Sequence, residues 1–186
     1  MKRLYIADMH FGHENIIGFD NRPFIDAKSM DDYMIYRWNM AVGKDDEVYI
    51  IGDMFWKQNQ QEMQSILGKL NGMKHLILGN HDPKMNIGTK KKFNSISHIK
   101  EIKDGGYNLF LCHYPIHAWN GNWHDNSIHL YGHVHETSEY LDTVELDNMV
   151  KEINPNKKGV MVNVGAMMPW MYYTPRTLDE ILSATQ

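Results

Sequence analysis

The chain has little cysteine and no long apolar run, and both absences narrow its class. Its single cysteine, Cys112, permits neither an internal disulfide framework nor a thiolate metal site. No stretch approaches the ~20 apolar residues that a membrane helix needs. The start, MKRLYIADMHFGH, is basic but lacks the apolar core of a signal peptide. We therefore expect a cytoplasmic protein with no membrane partner.

Excess charge of one sign is also missing. The net charge is −4, which predicts no bulk binding of nucleic acid. The one basic run, Lys90–Lys92, is short, and a solvated helix face is favoured over a phosphate-binding patch. With 42% hydrophobic residues, the 186-residue chain can bury an ordinary core, and we expect a single domain over residues 1–186. Histidine, by contrast, is abundant, with eleven copies.

Apolar periodicity predicts alternating strands and helices in the first half and mostly strands in the second. The predicted strands are Arg3–Ala7, Val48–Ile51, Lys74–Leu78, Ser95–Ile102, Tyr107–Cys112, Ser127–Tyr131 and Val160–Val164. The predicted helices are one capped by Ser29 that ends near Gly43, Gln58–Leu70, one beginning near Pro83, and Leu178–Leu182. Residues 136–158 are polar, and we expect them to form an exposed segment that extends from the domain. This order indicates a layered α/β domain with a mixed sheet, or two sheets, and helices outside.

Five predicted strands end in residues that can bind metals. These ends are Asp8-Met9-His10, Gly52-Asp53, Gly79-Asn80-His81-Asp82, Cys112-His113 and Gly132-His133-Val134-His135. Ligands gather at the carboxyl ends of strands in open α/β sheets, so these side chains are expected to meet. Their oxygen and imidazole donors exceed what one ion needs and suit a pair of Mn, Fe, Zn or Ni ions better than Ca or Mg.

The geometry of an extended chain supports this grouping. Side chains two residues apart share a face, so Asp8 and His10 are expected to point together, as are His133 and His135. By the same alternation Cys112 points away from its neighbour and is expected in the core.

In this order and spacing the five motifs resemble the signature of the calcineurin-like metallophosphoesterases: D-x-H, G-D, G-N-H-D/E, H and G-H-x-H. The segments FGHENII, RPF, RWNMAV and VNVGAM also resemble a compact bacterial and phage branch of that family. The resemblance implies a layered sandwich of two mixed β-sheets flanked by helices. It also implies two divalent metal ions, manganese first and iron, zinc or nickel as alternatives.

The resemblance further implies a role for each motif residue. The implied ligands of the first ion are Asp8, His10 and His135. The implied ligands of the second ion are Asn80, His113 and His133, and Asp53 bridges the two. His81 faces the substrate as general acid or stabiliser, and Asp82 orients its imidazole. Hydroxide formed from a bridging water attacks phosphorus in line, and no covalent enzyme intermediate is required.

Residues outside the signature give weaker predictions. Arg22 is predicted to reach a substrate phosphate, although a surface arginine is the alternative. His13, Asn15 and His117 are predicted to line the substrate site. Trp119 and Trp123 would form either a stacking platform for a base or, as favoured, loop packing.

The predicted function is hydrolysis of a phosphodiester, with a phosphomonoester as the second choice. The substrate class is a nucleotide, a cyclic nucleotide or a nucleic-acid end, because the chain has no long inserts to build a large pocket. One alternative is a non-catalytic metal-binding or scaffold protein with the same fold. Another is a metal-dependent hydrolase of C–N or C–O bonds, although such sites usually lack an Asn ligand.

Overall fold

Two sheets form the centre of the fold, and the first is entirely parallel. The computed structural model describes residues 1–185, and in them the first sheet has four strands in the order β1 Arg3–Ile6, β2 Glu47–Ile51, β3 Met73–Ile77 and β4 Ser95–Ser97. Every neighbouring pair in it is parallel. Its strands are joined by crossovers that contain helices, which return the chain in the same direction.

The second sheet is mixed. Its strands are β5 Ile99–Asp104, β6 Tyr107–Cys112, β7 Ser127–Tyr131 and β8 Val160–Asn163, in that order. β5 and β6 form an antiparallel hairpin that turns at Gly105-Gly106, and the other two pairs are parallel. The prediction of two sheets flanked by helices is thus confirmed. The prediction that both are mixed is wrong for the first sheet.

One predicted strand divides between the two sheets. The segment expected as a single strand over 95–102 gives β4 to the first sheet and β5 to the second. A second junction between the sheets lies just beyond β1 and β8. The amide of Ala7 donates to the carbonyl of Val164, and Ala166 donates to the carbonyl of Ala7, both at 2.8 Å. The carboxyl ends of β1 and β8 are therefore adjacent.

The helices accompany these strands. They are α1 Glu14–Phe19, α2 Ala27–Ala41, α3 Gln60–Lys69, α4 Ile87–Lys90, α5 Ser138–Ile153 and α6 Leu178–Thr185. Buried side chains of α2, α3 and α6 share one apolar core with residues of both sheets, so the core lies between the layers. None of the helices in residues 1–185 is long and apolar enough to cross a membrane.

Three helix predictions differ from the structure. α2 is capped by Asp26, whose carboxylate accepts from the Ser29 amide at 2.7 Å, so Ser29 is the third helical residue rather than the cap. No helix begins at Pro83, because Asn86 caps α4 through the Thr89 amide at 2.8 Å. The polar segment 136–158 contains α5, in which only Asp147 is buried, so no apolar stripe marked it as helical.

Candidate metal centre

The predicted ligands lie on loops that directly follow β1, β2, β3, β6 and β7. Five of the seven predicted ligands have a left-handed backbone. Their φ angles are positive: Asp8 (53°), His10 (52°), Asp53 (51°), His133 (72°) and His135 (50°). The extended backbone expected for the pairs Asp8/His10 and His133/His135 is therefore wrong, although Asp8 and His10 do point together, as predicted. Non-glycine residues adopt this conformation at a cost, and such residues cluster at functional sites.

Asp8, His10 and His135 form one group with ligand geometry. An oxygen or nitrogen of each lies within 4.8 Å of the others. The Nε2 atoms of His10 and His135 are 3.2 Å apart, and His135 Nε2 is 3.8 Å from Asp8 Oδ1. Two imidazole nitrogens this close either share a proton, which one ring donates to the other, or bind one cation together.

A second group combines Asp8, Asp53 and His113, again within 4.8 Å. Oδ2 of Asp53 lies 3.4 Å from His113 Nε2 and 3.8 Å from His10 Nε2. Asp53 thus lies between side chains of both groups. The carboxylate of Asp8 also belongs to both, a sharing that the sequence did not indicate.

Two further predicted ligands border the second group. Oδ1 of Asn80 is 3.0 Å from His113 Nε2. The His133 ring meets the His113 ring edge-on, with centroids 5.2 Å apart. All seven predicted ligands are therefore neighbours, and their oxygen and imidazole donors are those that Mn, Fe, Zn and Ni accept. The donor set fits a divalent metal and does not identify which one.

The electrostatics of the second group favour positive charge. Burial lowers the pKa of His113, but the hydrogen bond to Asp53 and the charges of Asp8 and Asp53 outweigh it and raise the pKa to about 9. Burial opposes ionisation of Asp53 as well, yet His113 lowers the pKa of that carboxyl to about 2. The carboxylates of Asp8 and Asp53 thus stabilise a positive charge at this position. A metal ion bound there would compete with the proton on His113.

Close packing at the strand ends explains why two motif positions, Gly52 and Gly79, are glycine. A Cβ at Gly52, where φ is +83°, would collide with the His113 ring. A Cβ at Gly79 would collide with the Asp53 carboxylate. Glycine at both positions allows the backbone to pass directly behind the ligand groups.

Hydrogen bonds fix the orientation of two ligand rings. Nδ1 of His113 lies 3.0 Å from the carbonyl of Ile51, which can only accept, so Nε2 is left for an ion. Nδ1 of His135 lies 2.8 Å from Oδ1 of Asp20, with the same result. Asp20 belongs to no motif, and sequence reasoning missed it because only the folded chain brings it to His135.

Asp82 does not orient His81, contrary to the prediction. Its carboxylate accepts hydrogen bonds from the backbone amides of Gly79 (2.9 Å), Asp53 (3.0 Å) and Met54 (2.9 Å). Burial raises the pKa of Asp82 to about 6, although these amides counter the rise. The side chain therefore fastens the loop after β3 to the loop after β2.

The predicted contact between Arg22 and a substrate phosphate disagrees with the structure. The side chain of Arg22 is fully buried and forms an ion pair with Asp20 at 2.8 Å. Its other donors reach the carbonyls of Asp8 (3.0 Å) and Met9 (3.1 Å). No part of the guanidinium faces solvent, so it is a structural cation behind the candidate ligands rather than a surface arginine.

An open pocket of about 530 Å³ is lined by three of the candidate ligands, His10, His133 and His135. His13, Asn15 and His81 line it, as the sequence predicted. Trp56, which was not predicted, stacks on the ring of His13 at 3.9 Å and meets His81 edge-on at 4.7 Å. Burial, chiefly, lowers the pKa of His13 to about 4, so its ring is neutral near pH 7. The only indication in the sequence that His13 lines the pocket was its position in FGHEN, just after the first ligand loop.

His117 is not part of this pocket in residues 1–185. It lies beside Asp147 of α5, with its Nδ1 3.8 Å from that carboxylate. The prediction that His117 lines the site is therefore wrong. Trp119 is buried and donates to Ser127 Oγ at 2.9 Å, which agrees with loop packing rather than a stacking platform. Cys112 is buried against Trp119 and Phe110, as the alternation predicted.

Comparison with solved structures shows the fold. The protein of unknown function AQ665 from Aquifex aeolicus aligns with a TM-score of 0.64 and 23% identity over 98% of both chains. The phosphoesterase YfcE from E. coli gives a TM-score of only 0.35, with 16% identity over 72% of this chain and 70% of that one. The second score is too low to show a common fold.

Sequence comparison shows a relative along almost the whole chain. No protein-family model matches. The uncharacterized protein MJ1445 of Methanocaldococcus jannaschii is 32% identical over 184 residues, which span 98% of this chain and 90% of that protein. The chain therefore belongs to the family of MJ1445.

Proposed function

We propose that this protein is a dinuclear metal-dependent phosphoesterase with the calcineurin-like metallophosphoesterase fold. One observation carries the proposal. Seven oxygen and imidazole donors from five strand ends converge beneath an open pocket, in the order of that family's motifs. Asp8, His10 and His135 would hold one ion, and Asp53 would bridge to the other. The remaining ligands of the second ion would be Asn80, His113 and His133.

The ions, when bound, would acidify a water and offset the negative charge that develops at phosphorus. The chain's own task is to hold its donors in register. The carboxylate of Asp82 fixes the loop of Asp53, and the carbonyl of Ile51 sets the ring of His113. Buried donors with fixed orientation need little reorganisation during the reaction, which is the main source of electrostatic catalysis.

His81 is proposed as the proton donor to the leaving oxygen. It is exposed at the rim of the pocket, and its ring lies 5.8 Å from the His10 ring. Its backbone amide donates to Asp53 Oδ1 at 2.8 Å, which holds the residue beside the candidate centre while its side chain stays free. An imidazole so placed can protonate an alkoxide as the ester bond breaks.

The pocket favours a phosphodiester over a phosphomonoester. Among the residues of 1–185 that line it, none is a lysine or an arginine, and Glu139 adds negative charge at the rim. A diester carries one negative charge and a monoester nearly two, so the diester needs less positive charge from the protein to bind. Phe19, which is 71% exposed, and Trp56 offer apolar surface for the ester groups. Of the predicted substrates, a cyclic nucleotide or the terminal phosphodiester of a nucleic-acid end satisfies both conditions, whereas a nucleoside monophosphate is a monoester and does not.

The test compares two aryl esters on metal-stripped protein. We would assay bis(para-nitrophenyl) phosphate and para-nitrophenyl phosphate after adding back Mn²⁺, Zn²⁺, Ni²⁺ or Mg²⁺ in turn. We expect cleavage to return with Mn²⁺ and kcat/KM to be higher for the diester. Absence of cleavage with every metal, in folded protein shown to bind two ions, would overturn the enzymatic proposal and leave a metal-binding scaffold. A monoester preference would contradict only the substrate assignment.

A further inference from the structure

Asp20 and Arg22 form a buried ion pair directly behind one group of candidate ligands. Their side chains are 2% and 0% exposed, and the shortest contact between them is 2.8 Å. Nε of Arg22 also donates to Asp20 Oδ2 at 2.9 Å. The other carboxylate oxygen, Oδ1, accepts from His135 Nδ1 at 2.8 Å. Asp20 therefore joins a cation on one side to a candidate ligand on the other.

Arg22 extends this connection to the loop after β1. Its Nη2 donates to the carbonyl of Asp8 at 3.0 Å, and its Nη1 donates to the carbonyl of Met9 at 3.1 Å. Asp8 has a left-handed backbone there, which costs free energy unless its surroundings hold it in place. One guanidinium thus fixes the backbone of Asp8 and, through Asp20, the ring of His135.

The second group of candidate ligands is held differently. Nδ1 of His113 lies against the main-chain carbonyl of Ile51 at 3.0 Å. The carboxylate of Asp53 accepts from the main-chain amide of His81 at 2.8 Å. Neither contact depends on Asp20 or Arg22. Loss of the Asp20 carboxylate should therefore reach His135, which belongs to one group only, and leave these supports of the other group intact. Loss of Arg22 also reaches Asp8, which belongs to both groups.

We infer that Asp20 and Arg22 are positioning residues that set the affinity of one metal site, the one formed by Asp8, His10 and His135. The inference rests on the proposed function. Because Asp20 accepts a hydrogen bond from His135 Nδ1, it fixes the orientation of the ring and leaves Nε2 of the neutral imidazole aimed at the ion. Outer contacts of this kind typically change metal affinity 10–100-fold. The other site should keep its affinity when Asp20 alone is changed.

The test is calorimetric titration of metal-stripped protein with Mn²⁺, and Asp20→Asn is the first variant. We expect the unmodified chain to bind two ions, and the variant to bind one of them with unchanged affinity and the other roughly 10–100-fold more weakly. The matched control is Asp104→Asn, since Asp104 accepts a hydrogen bond from Tyr5 at 2.8 Å and belongs to neither ligand group. It should bind both ions as the unmodified chain does.

Asp20→Asn leaves Arg22 without its buried partner and can unfold the chain, so two further variants are included. Asp20→Glu keeps the charge but displaces the carboxylate from His135, and Arg22→Lys keeps the cation but cannot reach both carbonyls and Asp20. Asp20→Glu should show the same loss at one site, whereas Arg22→Lys, which also releases the backbone of Asp8, should weaken the Asp8–His10–His135 site more than the other site. Equal weakening of both ions, or no weakening in any folded variant, would overturn the inference alone. Failure of the unmodified chain to bind Mn²⁺ would overturn the proposed function as well.

Discussion

The carboxylate of Asp82 accepts a hydrogen bond from the backbone amide of Asp53 at 3.0 Å. Two more amides, those of Gly79 and Met54, donate to the same carboxylate at 2.9 Å. A buried carboxylate with three such donors binds two strand-end loops together, and one of these loops carries the proposed bridging ligand. Asp82 therefore acts on the centre through the backbone of Asp53 and not through the ring of His81.

Replacement of Asp82 by Asn should destabilise the protein by about 1–3 kcal/mol, because one amide group cannot accept from all three backbone donors. It should also weaken Mn²⁺ binding by displacing Asp53. Urea unfolding in the presence of chelator measures the first effect, and calorimetric titration measures the second. Asp104→Asn again serves as control. A variant with unchanged stability and a lower turnover would instead support the role through His81.

Replacement of Asp53 by Asn should abolish turnover and weaken metal binding. Asp53 is 1% exposed and lies between the rings of His10 and His113, so the change removes a buried negative charge from between the proposed ions. We expect activity on the aryl diester to fall by at least 10²-fold, as with loss of a principal electrostatic stabiliser. Near-native activity with saturating Mn²⁺ would contradict the bridging role.

Replacement of His81 by Ala should preserve metal binding and reduce the rate. The backbone amide that donates to Asp53 remains in the variant, so the bridging carboxylate keeps its support. Loss of a general acid typically costs 10²–10⁴-fold, and the loss should grow as the leaving group becomes more basic. We would compare para-nitrophenyl and phenyl esters in both proteins. Loss of Mn²⁺ binding would show that His81 is a ligand instead.

The candidate ligands could be located from the sequence because their positions depend on short-range patterns. Apolar runs located the strands, and the polar residue after each run located the carboxyl end, as with Asp53 after β2. The residues that support the ligands left no such pattern. Asp20 lies 115 residues from His135 in the chain, and only the junction of the two sheets brings them together.

Burial was the other quantity that the sequence did not reveal. Arginine usually lies at the protein surface, yet Arg22 forms an ion pair with Asp20 inside the protein. Helix α5 was not predicted because its side chains are mostly exposed and form no apolar stripe. Left-handed backbone at Asp8 and His10 was equally hidden, because any residue type in a loop can adopt it when tertiary contacts compensate for the cost.

His129 lies outside the candidate centre and is expected to make stability depend on pH. It is fully buried on β7, with Nδ1 3.0 Å from the carbonyl of Phe110 and Nε2 3.1 Å from the amide of Ile116, which donates to it. Burial lowers the pKa of His129 from 6.5 to about 4, since a charged ring there would lose its hydration.

The sign of the effect follows from which state binds the proton. Between pH 6.5 and 4 the unfolded chain protonates His129 and the folded chain does not, so the free energy of unfolding should fall as pH decreases through this window. The full loss attributable to this residue is roughly 3 kcal/mol. Urea unfolding in chelator at pH 7 and pH 5 would measure about 2 kcal/mol of this loss, the part that develops between those two pH values. His129→Gln should be less stable at pH 7 but lose less stability on acidification, whereas His98→Gln, at an exposed histidine, should match the unmodified chain. An equal loss in all three proteins would show that the acid sensitivity arises elsewhere.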